Sequence, residues 1–199
     1  MLGLVVNPVA GVGGPAGLAG SDGADVQRLA LARGARSRVQ ERAVLALTTL
    51  AERHPGLVVA TAAGAMGADA VRAAGLVPRV VAPAPGVERS ETEAGDTSRA
   101  VAALAADGVD LILVVGGDGT LRDAVAGLEV AEHSSGAGTD VGRHADTRMP
   151  AVLGVPAGVK MYSPVFAVSP RAAGAIAADW IDLGGLPTDE REVLDIDEA

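Results

Sequence analysis

Short apolar runs alternate with amphipathic stretches along the chain, and this alternation predicts a series of strands and helices. The apolar runs indicate buried strands, because a central parallel strand is covered on both faces and has few polar positions. We predict five strands, at residues 2–7, 57–61, 76–81, 111–115 and 150–155. Pro78 suggests that the third lies at an edge of the sheet, because proline cannot donate to a sheet ladder.

The stretches between these runs predict helices. Apolar residues at helical spacing indicate a helix over residues 37–53, beginning at a capping box that runs from Ser37 to Gln40. Ser169 followed by Pro170 is typical of a helix start and predicts a helix as far as Asp182. The other predicted helices are residues 25–32, a short segment between Gly67 and Gly75, residues 97–106 capped by Asp96 or Thr97, and residues 121–128.

The order of these elements predicts an α/β protein with a doubly wound, Rossmann-like parallel sheet. We expect residues 1–186 to form one nucleotide-binding domain with a polar insertion at 129–149. His133 and His144 in this insertion could suggest a metal, although its composition favours a solvated segment. Residues 187–199 alternate in a way that suits a strand, but no strand follows for it to pair with.

Composition narrows the possible partners and compartments. The net charge of −9 argues against nucleic acid or an anionic membrane as the main partner. Cysteine is absent, which excludes disulfides and thiolate zinc sites. The N-terminus shows no signal-peptide pattern, and no apolar run reaches the roughly 18 residues of a membrane helix. We therefore expect a cytoplasmic protein.

A few residue types occur once in a chain that is rich in Ala, Gly, Arg and Pro. Among them are Asn7, Lys160, Tyr162 and Phe166. Such a composition disfavours these types, so the positions that carry them are candidates for chemistry. Three of them fall within seven residues of one another, which points to the segment after the fifth predicted strand.

The sequence GGDGT at residues 116–120 follows the fourth predicted strand and precedes a helix. A strand, a glycine turn and a helix N-terminus are together typical of phosphate binding. Gly116, Gly117 and Gly119 allow positive φ and would let a ligand approach the backbone. Thr120 would then cap the helix, whose free N–H groups favour an anion.

Asp118 is the unusual member of this turn, because a carboxylate alone would repel a phosphate. It makes chemical sense beside Mg²⁺, or as a general base that accepts a hydrogen bond from a substrate hydroxyl during phosphoryl transfer. Arg122 opposes the helix dipole, a cost that a bound anion would offset. Asp123 could be a second Mg²⁺ ligand or an ordinary N-terminal acid. A tight turn without any ligand is the structural alternative.

Two further loops should reach the same edge of the sheet, because ligands of doubly wound proteins bind beyond the carboxyl ends of the strands. One is the glycine-rich segment after the first strand, and the other is residues 157–160 after the fifth. Their candidates for phosphate contacts are Asn7, Pro8, Gly11, Gly13, Gly14 and Lys160. The glycines only approximate a dinucleotide-binding fingerprint, and no P-loop motif is present.

The two turns together resemble those of a known superfamily. GGDGT after an apolar strand, with an NPxxG turn after the first strand, is similar to the motifs of NAD kinases, diacylglycerol and sphingosine kinases, and 6-phosphofructokinases. More specifically, the chain resembles the branch of the ATP-NAD kinase family that includes the acetoin-catabolism protein AcoX. Four stretches carry the resemblance: GLVVNPVAGVGGPAGLAGSDG, DTSRAVAALAADGVDLILVVGGDGTLRDAV, GVPAGVKMYSPVFAVSPRAAG and EREVLDIDE.

This resemblance implies a kinase of NADP biosynthesis that transfers a phosphoryl group from ATP or polyphosphate to NAD with Mg²⁺. It implies that Asp118 contacts the acceptor ribose hydroxyl. It also implies that Asn7 and Gly11 lie at the nucleotide phosphates. Relatives continue into a β-rich domain that completes the acceptor site and mediates self-association. Residues 187–199 would be the start of that domain or a linker, and a homo-oligomer would be possible.

The resemblance also assigns a role to the loop after the fifth strand, which lies where relatives close the site. Gly158, Met161 and Tyr162 are its candidates for contacts with the substrate. A phosphate contact from Lys160 is our inference from its charge. Two other functions stay open. One is a catalytically silent nucleotide-binding or regulatory module, and the other is a lipid or other small-alcohol kinase, for which a basic, apolar docking surface is not evident.

Overall fold

The computed structural model describes residues 1–10, 38–82, 94–136, 149–157 and 161–194. Its five strands are β1 (Leu2–Val6), β2 (Val58–Ala62), β3 (Val77–Ala82), β4 (Leu111–Gly116) and β5 (Ala151–Pro156). They form one parallel sheet in the order β3-β2-β1-β4-β5. The prediction of a doubly wound parallel sheet is confirmed, and so is the edge position of the strand that contains Pro78.

Helices flank this sheet on both faces. The described part of the chain contains α1 (Val39–Arg53), α2 (Ala68–Ala73), α3 (Ala94–Ala106), α4 (Asp118–Gly136) and α5 (Pro170–Asp182), with a 3₁₀ turn at Gly64–Met66. The start of α5 is as predicted: Ser169 Oγ accepts a hydrogen bond from Ala172 N–H at 3.1 Å, and Pro170 is the first helical residue. The helix predicted at 25–32 lies outside the described residues, as does Ser37. Helix α1 begins at Val39 with Arg38 as its N-cap, so the prediction of a capping box that starts at Ser37 was wrong.

Two apolar clusters cover the two faces of the sheet. Because successive strand residues point to opposite faces, Leu113 and Val115 of β4 pack with α1 and α5, whereas Ile112 and Val114 pack with α3 and α4. With aromatics at only 2% of the chain, small and branched side chains fill these layers. The result is a rigid sheet whose carboxyl edge can hold loops in fixed positions.

Glycines let the helices within each layer touch. A Cβ at Gly174 of α5 would overlap the backbone of Ala46 in α1. A Cβ at Gly127 of α4 would likewise overlap the backbone of Ser98 in α3. The second contact fixes α4, the helix that follows GGDGT, against its neighbour.

Two further helix starts differ from the prediction. Helix α3 begins at Ala94, so Asp96 and Thr97 lie inside its first turn, where both are buried, and the prediction that one of them is the cap was wrong. Helix α4 begins at Asp118 and continues to Gly136 instead of spanning 121–128. Residues 129–136, the first part of the predicted polar insertion, therefore continue this helix. Ala131 is buried, and polar residues such as His133 occupy the exposed face.

The segment after α5 also differs from expectation. Residues 185–194 form no strand. The free edge of β5 is already used at one point, where Gly154 N–H donates to Val165 O at 3.0 Å and Ala167 N–H donates to Gly154 O at 2.9 Å. Val193 packs instead against the core cluster on the α3–α4 face. The tail thus returns to the domain without adding a strand along the described part of the chain.

Candidate functional site

The strand order reverses between β1 and β4, which makes the carboxyl ends of these two strands the topological switch point of the sheet. In doubly wound proteins this is where a crevice for a ligand opens. Asn7 follows β1 directly, and its backbone N–H donates to Val115 O of β4 at 3.0 Å. The loops after β1 and β4 therefore start side by side.

The side chain of Asn7 ties these two loops together. Its Nδ2 donates to Thr120 Oγ1 at 3.1 Å, and its Oδ1 accepts from Val9 N–H at 3.2 Å. Pro8 lies in the turn that Ala10 N–H closes on Asn7 O at 3.1 Å. Thr120 is the third residue of α4 and is buried, so it does not cap the helix as predicted. Its hydroxyl oxygen instead accepts a hydrogen bond from the side-chain amide of Asn7.

The turn between β4 and α4 is tighter than the motif suggested. Only Gly117 separates the end of the strand from the start of the helix. Positive φ occurs elsewhere among the described glycines, so Gly116, Gly117 and Gly119 do not use the left-handed conformation that glycine allows. Gly116 is needed for packing, because a Cβ there would overlap the side chain of Thr120. A Cβ at Gly117 or Gly119 would have no neighbour within 4 Å, so the backbone is open on that side.

Asp118 is the first residue of α4, where the helix dipole favours a negative charge. Its carboxylate binds the segment that follows β5. Oδ2 accepts a hydrogen bond from Tyr162 N–H at 2.9 Å, and Oδ1 accepts one from Ser163 N–H at 2.9 Å. The hydroxyl of Ser163 also donates to Oδ1. Three donors from one short segment therefore hold a single carboxylate.

The end of β5 completes this edge of the sheet. Ala157 N–H donates to Gly116 O at 3.1 Å, which joins the loop after β5 to the glycine turn. Arg42 of α1 reaches the same place, where its Nη1 donates to Pro156 O at 3.2 Å. The structure thus brings the beginnings of three loops to one edge, as expected from the parallel sheet.

The structure describes some of the predicted site residues and not others. Asn7 is hydrogen-bonded to Thr120, and Asp118 is hydrogen-bonded to Tyr162, on the same side of the glycine turn. Met161 precedes Tyr162 and is half-buried, while Tyr162 is half-exposed. The residues outside the described part of the chain are Gly11, Gly13, Gly14, Gly158 and Lys160.

The remaining candidates lie on α4. Arg122 is exposed in the first turns of the helix. The backbone oxygen of Asp123 accepts a hydrogen bond from Ser98 Oγ at 2.8 Å, which joins α4 to α3. Asp123 is thus placed at a helix contact, whereas Asp118 faces the segment after β5.

Two contacts at this edge were missed by the sequence analysis. Ser163 was not singled out, because a serine after a tyrosine carries no motif, and its partner Asp118 is 45 residues away. Arg42 was missed because it belongs to an amphipathic helix in which arginine is unremarkable. Only the fold brings either residue to the carboxyl edge of the sheet.

We tested whether these residues fit Mg²⁺. Among the residues that the structure describes, no three His, Asp or Glu side chains cluster as a metal site would require. Asp118 offers one carboxylate, much of which is already hydrogen-bonded. Mg²⁺ is commonly held by one or two carboxylates together with substrate phosphates and water. The site therefore fits Mg²⁺ that is bound mainly through a nucleotide, with Asp118 as a candidate ligand.

At the opposite end of the sheet, an ion pair changes the pKa of a carboxyl group. Asp107 follows α3 and precedes β4, and the side-chain hydrogen bond from Arg79 lowers its pKa below the ordinary value. The same pair raises the pKa of Arg79. This ion pair lies at the amino ends of the strands and contributes to the stability of the fold there. It does not line the crevice at the carboxyl ends.

Comparison with known proteins agrees with this geometry. The sequence model of the ATP-NAD kinase N-terminal domain matches residues 2–132, which include β1, Asn7, β4 and the GGDGT turn. No curated protein and no solved structure matches the chain. In the described part of the chain, no helix is both long and apolar enough to cross a membrane. Because the match covers well over half of the 199 residues, the chain belongs to the ATP-NAD kinase N-terminal domain family.

Proposed function

We propose that this protein is an NAD-kinase-like phosphotransferase. It moves a phosphoryl group from ATP or polyphosphate to a hydroxyl of NAD or of a related small molecule. One observation carries the proposal: a carboxylate, Asp118, is held at the switch point of a doubly wound sheet, beside a backbone that is open at Gly117 and Gly119. An acid in that place suits the activation of a hydroxyl better than the binding of a phosphate.

The proposed roles follow from the positions of the groups. The N-terminus of α4 and the open backbone at Gly117 and Gly119 would receive donor phosphates, since free helix N–H groups favour anions. Asn7 would hold the loop after β1 against this turn. Asp118 would orient the acceptor hydroxyl and take its proton. The exposed guanidinium of Arg122 and the amine of Lys160 are candidates for charge neutralisation of the phosphates.

In the transfer, a bond forms between the acceptor hydroxyl oxygen and the terminal phosphorus of the donor. The bond between that phosphorus and its bridging oxygen breaks, and ADP or a shortened polyphosphate leaves with the bonding electron pair. The hydroxyl proton passes to Asp118. Mg²⁺, when bound with the nucleotide, would neutralise charge on the phosphates. This chain's residues position the reactants, which is most of what phosphoryl transfer requires.

The finer assignments are part of the same proposal. The four stretches that resemble the AcoX-like branch support placement there. We propose that the domain comprises residues 1–186, that residues 187–199 lead into a β-rich domain, and that the protein acts in the cytoplasm and self-associates. A lipid or other small-alcohol acceptor is the runner-up for the substrate.

A specific observation favours a second function. All three described contacts of the Asp118 carboxylate are made to the protein's own segment at Tyr162 and Ser163. A carboxylate whose role is to hold this segment by hydrogen bonds would suit a nucleotide-binding or regulatory module without catalysis. The two functions differ in one measurable outcome, which is the appearance of phosphorylated product.

The test combines binding with turnover. Thermal unfolding is followed with ATP, polyphosphate, NAD and NADP, each with and without Mg²⁺, and NADP formation is assayed in parallel. We expect a rise in the unfolding temperature with nucleotide and the formation of NADP. Asp118→Asn should lower kcat by about 10²-fold or more, while the matched variant Asp69→Asn, at an exposed ion pair with Arg72, should keep it. Binding without product would support the silent module, and no binding would overturn both functions.

A further inference from the structure

The hydrogen bonds on Asp118 are distributed unequally between its two oxygens. Oδ1 accepts from both the backbone N–H and the hydroxyl of Ser163. Among the described residues, the donor to Oδ2 is the backbone N–H of Tyr162. An ionised carboxylate has about two acceptor positions on each oxygen. The contacts of the described residues therefore saturate Oδ1 through Ser163 and leave one position on Oδ2 for a further donor.

Ser163 is itself fixed in the orientation that this contact requires. It is buried, with a relative exposure of 4%. Its hydroxyl oxygen accepts a hydrogen bond from Leu194 N–H at 3.0 Å. A serine hydroxyl has one proton to donate, and with a donor already directed at its oxygen, that proton points to Asp118. The neighbour of Leu194, Val193, packs on the core and anchors this donor.

We propose that Ser163 is a positioning residue for phosphoryl transfer and that Oδ2 of Asp118 is the atom that accepts the proton of the substrate hydroxyl. The inference rests on the proposed function. Because Ser163 occupies both acceptor positions of Oδ1, that oxygen cannot accept the proton of the substrate hydroxyl. The same hydrogen bonds fix the side-chain torsion of Asp118. The remaining acceptor position on Oδ2 is then directed to a single place in the crevice.

In the proposed step, the acceptor hydroxyl gives its proton to Oδ2 as its oxygen forms a bond to the terminal phosphorus of the donor nucleotide. The bond from that phosphorus to the bridging oxygen breaks, and the bridging oxygen leaves as part of the nucleoside diphosphate. Ser163 exchanges no proton with the substrate. Its effect is on the orientation of the base, so it should change the rate of transfer and not the affinity for substrate.

The experiment compares two serine-to-alanine variants of the full chain. Ser163→Ala removes the hydroxyl that touches Asp118, while Ser98→Ala removes a hydroxyl that bonds Asp123 O at a helix contact. We expect kcat for NADP formation to fall about 10- to 100-fold in Ser163→Ala, the range that a misplaced catalytic group costs. The KM values for NAD and ATP should change less than about threefold, and Ser98→Ala should keep kcat.

Two further variants separate positioning from a merely structural role. Ser163→Thr keeps the hydroxyl and should restore kcat to within about threefold of the parent protein. In the Asp118→Asn background, Ser163→Ala should add little further loss, because a residue that acts through Asp118 is not additive with it. If Ser163→Ala does not fold, Ser163→Cys takes its place, since a thiol is a much weaker donor.

The outcomes distinguish this inference from the function on which it rests. If the parent protein forms NADP and Ser163→Ala keeps kcat within about threefold, the positioning role is overturned and the proposed function stands. An equal loss in Ser98→Ala would also overturn it, because the effect would then be general destabilisation. If the parent protein transfers no phosphoryl group, the proposed function fails and this inference fails with it.

Discussion

The side-chain amide of Asn7 donates a hydrogen bond to the hydroxyl of Thr120 at 3.1 Å, across 113 positions of sequence. This contact links the loop after β1 to the first turn of α4, on the two sides of the switch point. Asn7 is the single asparagine of the chain. Its amide both donates to Thr120 and accepts from Val9 N–H, which a hydrophobic residue of the same size could not do.

Asn7→Ala should therefore loosen the crevice and modestly destabilise the fold. We expect the free energy of unfolding to fall by about 1 kcal/mol, the usual net worth of a hydrogen bond, and ATP binding to weaken. Urea unfolding and ATP titration measure the two effects. Thr49→Ala is the control, because it removes a hydroxyl that donates to Leu45 O within α1, away from the switch point. Equal weakening of ATP binding in the control would contradict the role of Asn7.

Neighbouring glycines of the GGDGT turn should respond differently to alanine. At Gly116 the new Cβ would overlap Thr120, so we expect Gly116→Ala to lower the free energy of unfolding by about 1–3 kcal/mol, as overpacking does. At Gly117 the Cβ would meet nothing within 4 Å. Gly117→Ala should leave stability nearly unchanged. Chemical denaturation of both variants measures the difference, and equal losses would show that the packing of Gly116 is not what the turn requires.

Gly119→Ala should have opposite effects on stability and on binding. Gly119 is the second residue of α4, and an added Cβ would have no neighbour. Alanine favours a helix over glycine by up to about 1 kcal/mol, so the unfolding temperature without ligand should rise or stay constant. If nucleotide phosphates approach this backbone, the methyl group should weaken ATP binding at least several-fold. Unchanged ATP affinity, measured by calorimetry, would exclude Gly119 as a contact.

The strands could be predicted from the sequence, because a buried parallel strand leaves a continuous apolar run, and β4 is the clearest case. The start of α5 could also be predicted, because Ser169 and Pro170 act within one helical turn. The role of Gly116 could not be predicted, since it depends on contact with the side chain of Thr120 and not on backbone torsion.

The partners of Asp118 were beyond sequence reasoning for a similar reason. GGDGT identified the carboxylate, but Ser163 lies 45 residues later in a segment with no local pattern. Leu194 lies in the segment whose alternation of apolar and polar residues suits a strand. In the structure, Leu194 N–H instead donates to Ser163 Oγ. Both contacts are set by the tertiary fold, which places the segment after β5 against the first turn of α4.

The ion pair between Arg79 and Asp107 predicts a pH-dependent contribution to stability. The hydrogen bond from Arg79 lowers the pKa of Asp107, and desolvation opposes this in part. A carboxyl whose folded pKa lies below its unfolded value of about 3.9 stabilises the fold above that value, and loses this contribution as the pH falls through the folded pKa. Asp107→Asn should thus be less stable than the parent protein near neutral pH.

The difference between the two proteins should shrink as the pH falls below about 4. Thermal unfolding between neutral and acidic pH measures this convergence. Arg79→Gln should reproduce the behaviour of Asp107→Asn, because it removes the same pair. Both side chains are partly exposed, so high salt should reduce the difference at neutral pH. A constant gap at all pH values would show that Asp107 acts by packing and not by charge.

Removal of the Asp118 carboxylate should release the segment after β5 even without any ligand. In Asp118→Ala the backbone N–H groups of Tyr162 and Ser163 lose their acceptor, and the hydroxyl of Ser163 loses its partner. Groups left without a partner cost about 1–3 kcal/mol each when buried, and exposure to solvent relieves that cost. We therefore expect faster amide hydrogen exchange at Tyr162 and Ser163, and at Leu194, which bonds the same hydroxyl. The amide of Val114 in the centre of β4 should keep its protection. Unchanged exchange at Tyr162 and Ser163 would mean that another group holds the segment, and that Asp118 is free to face the crevice with both oxygens.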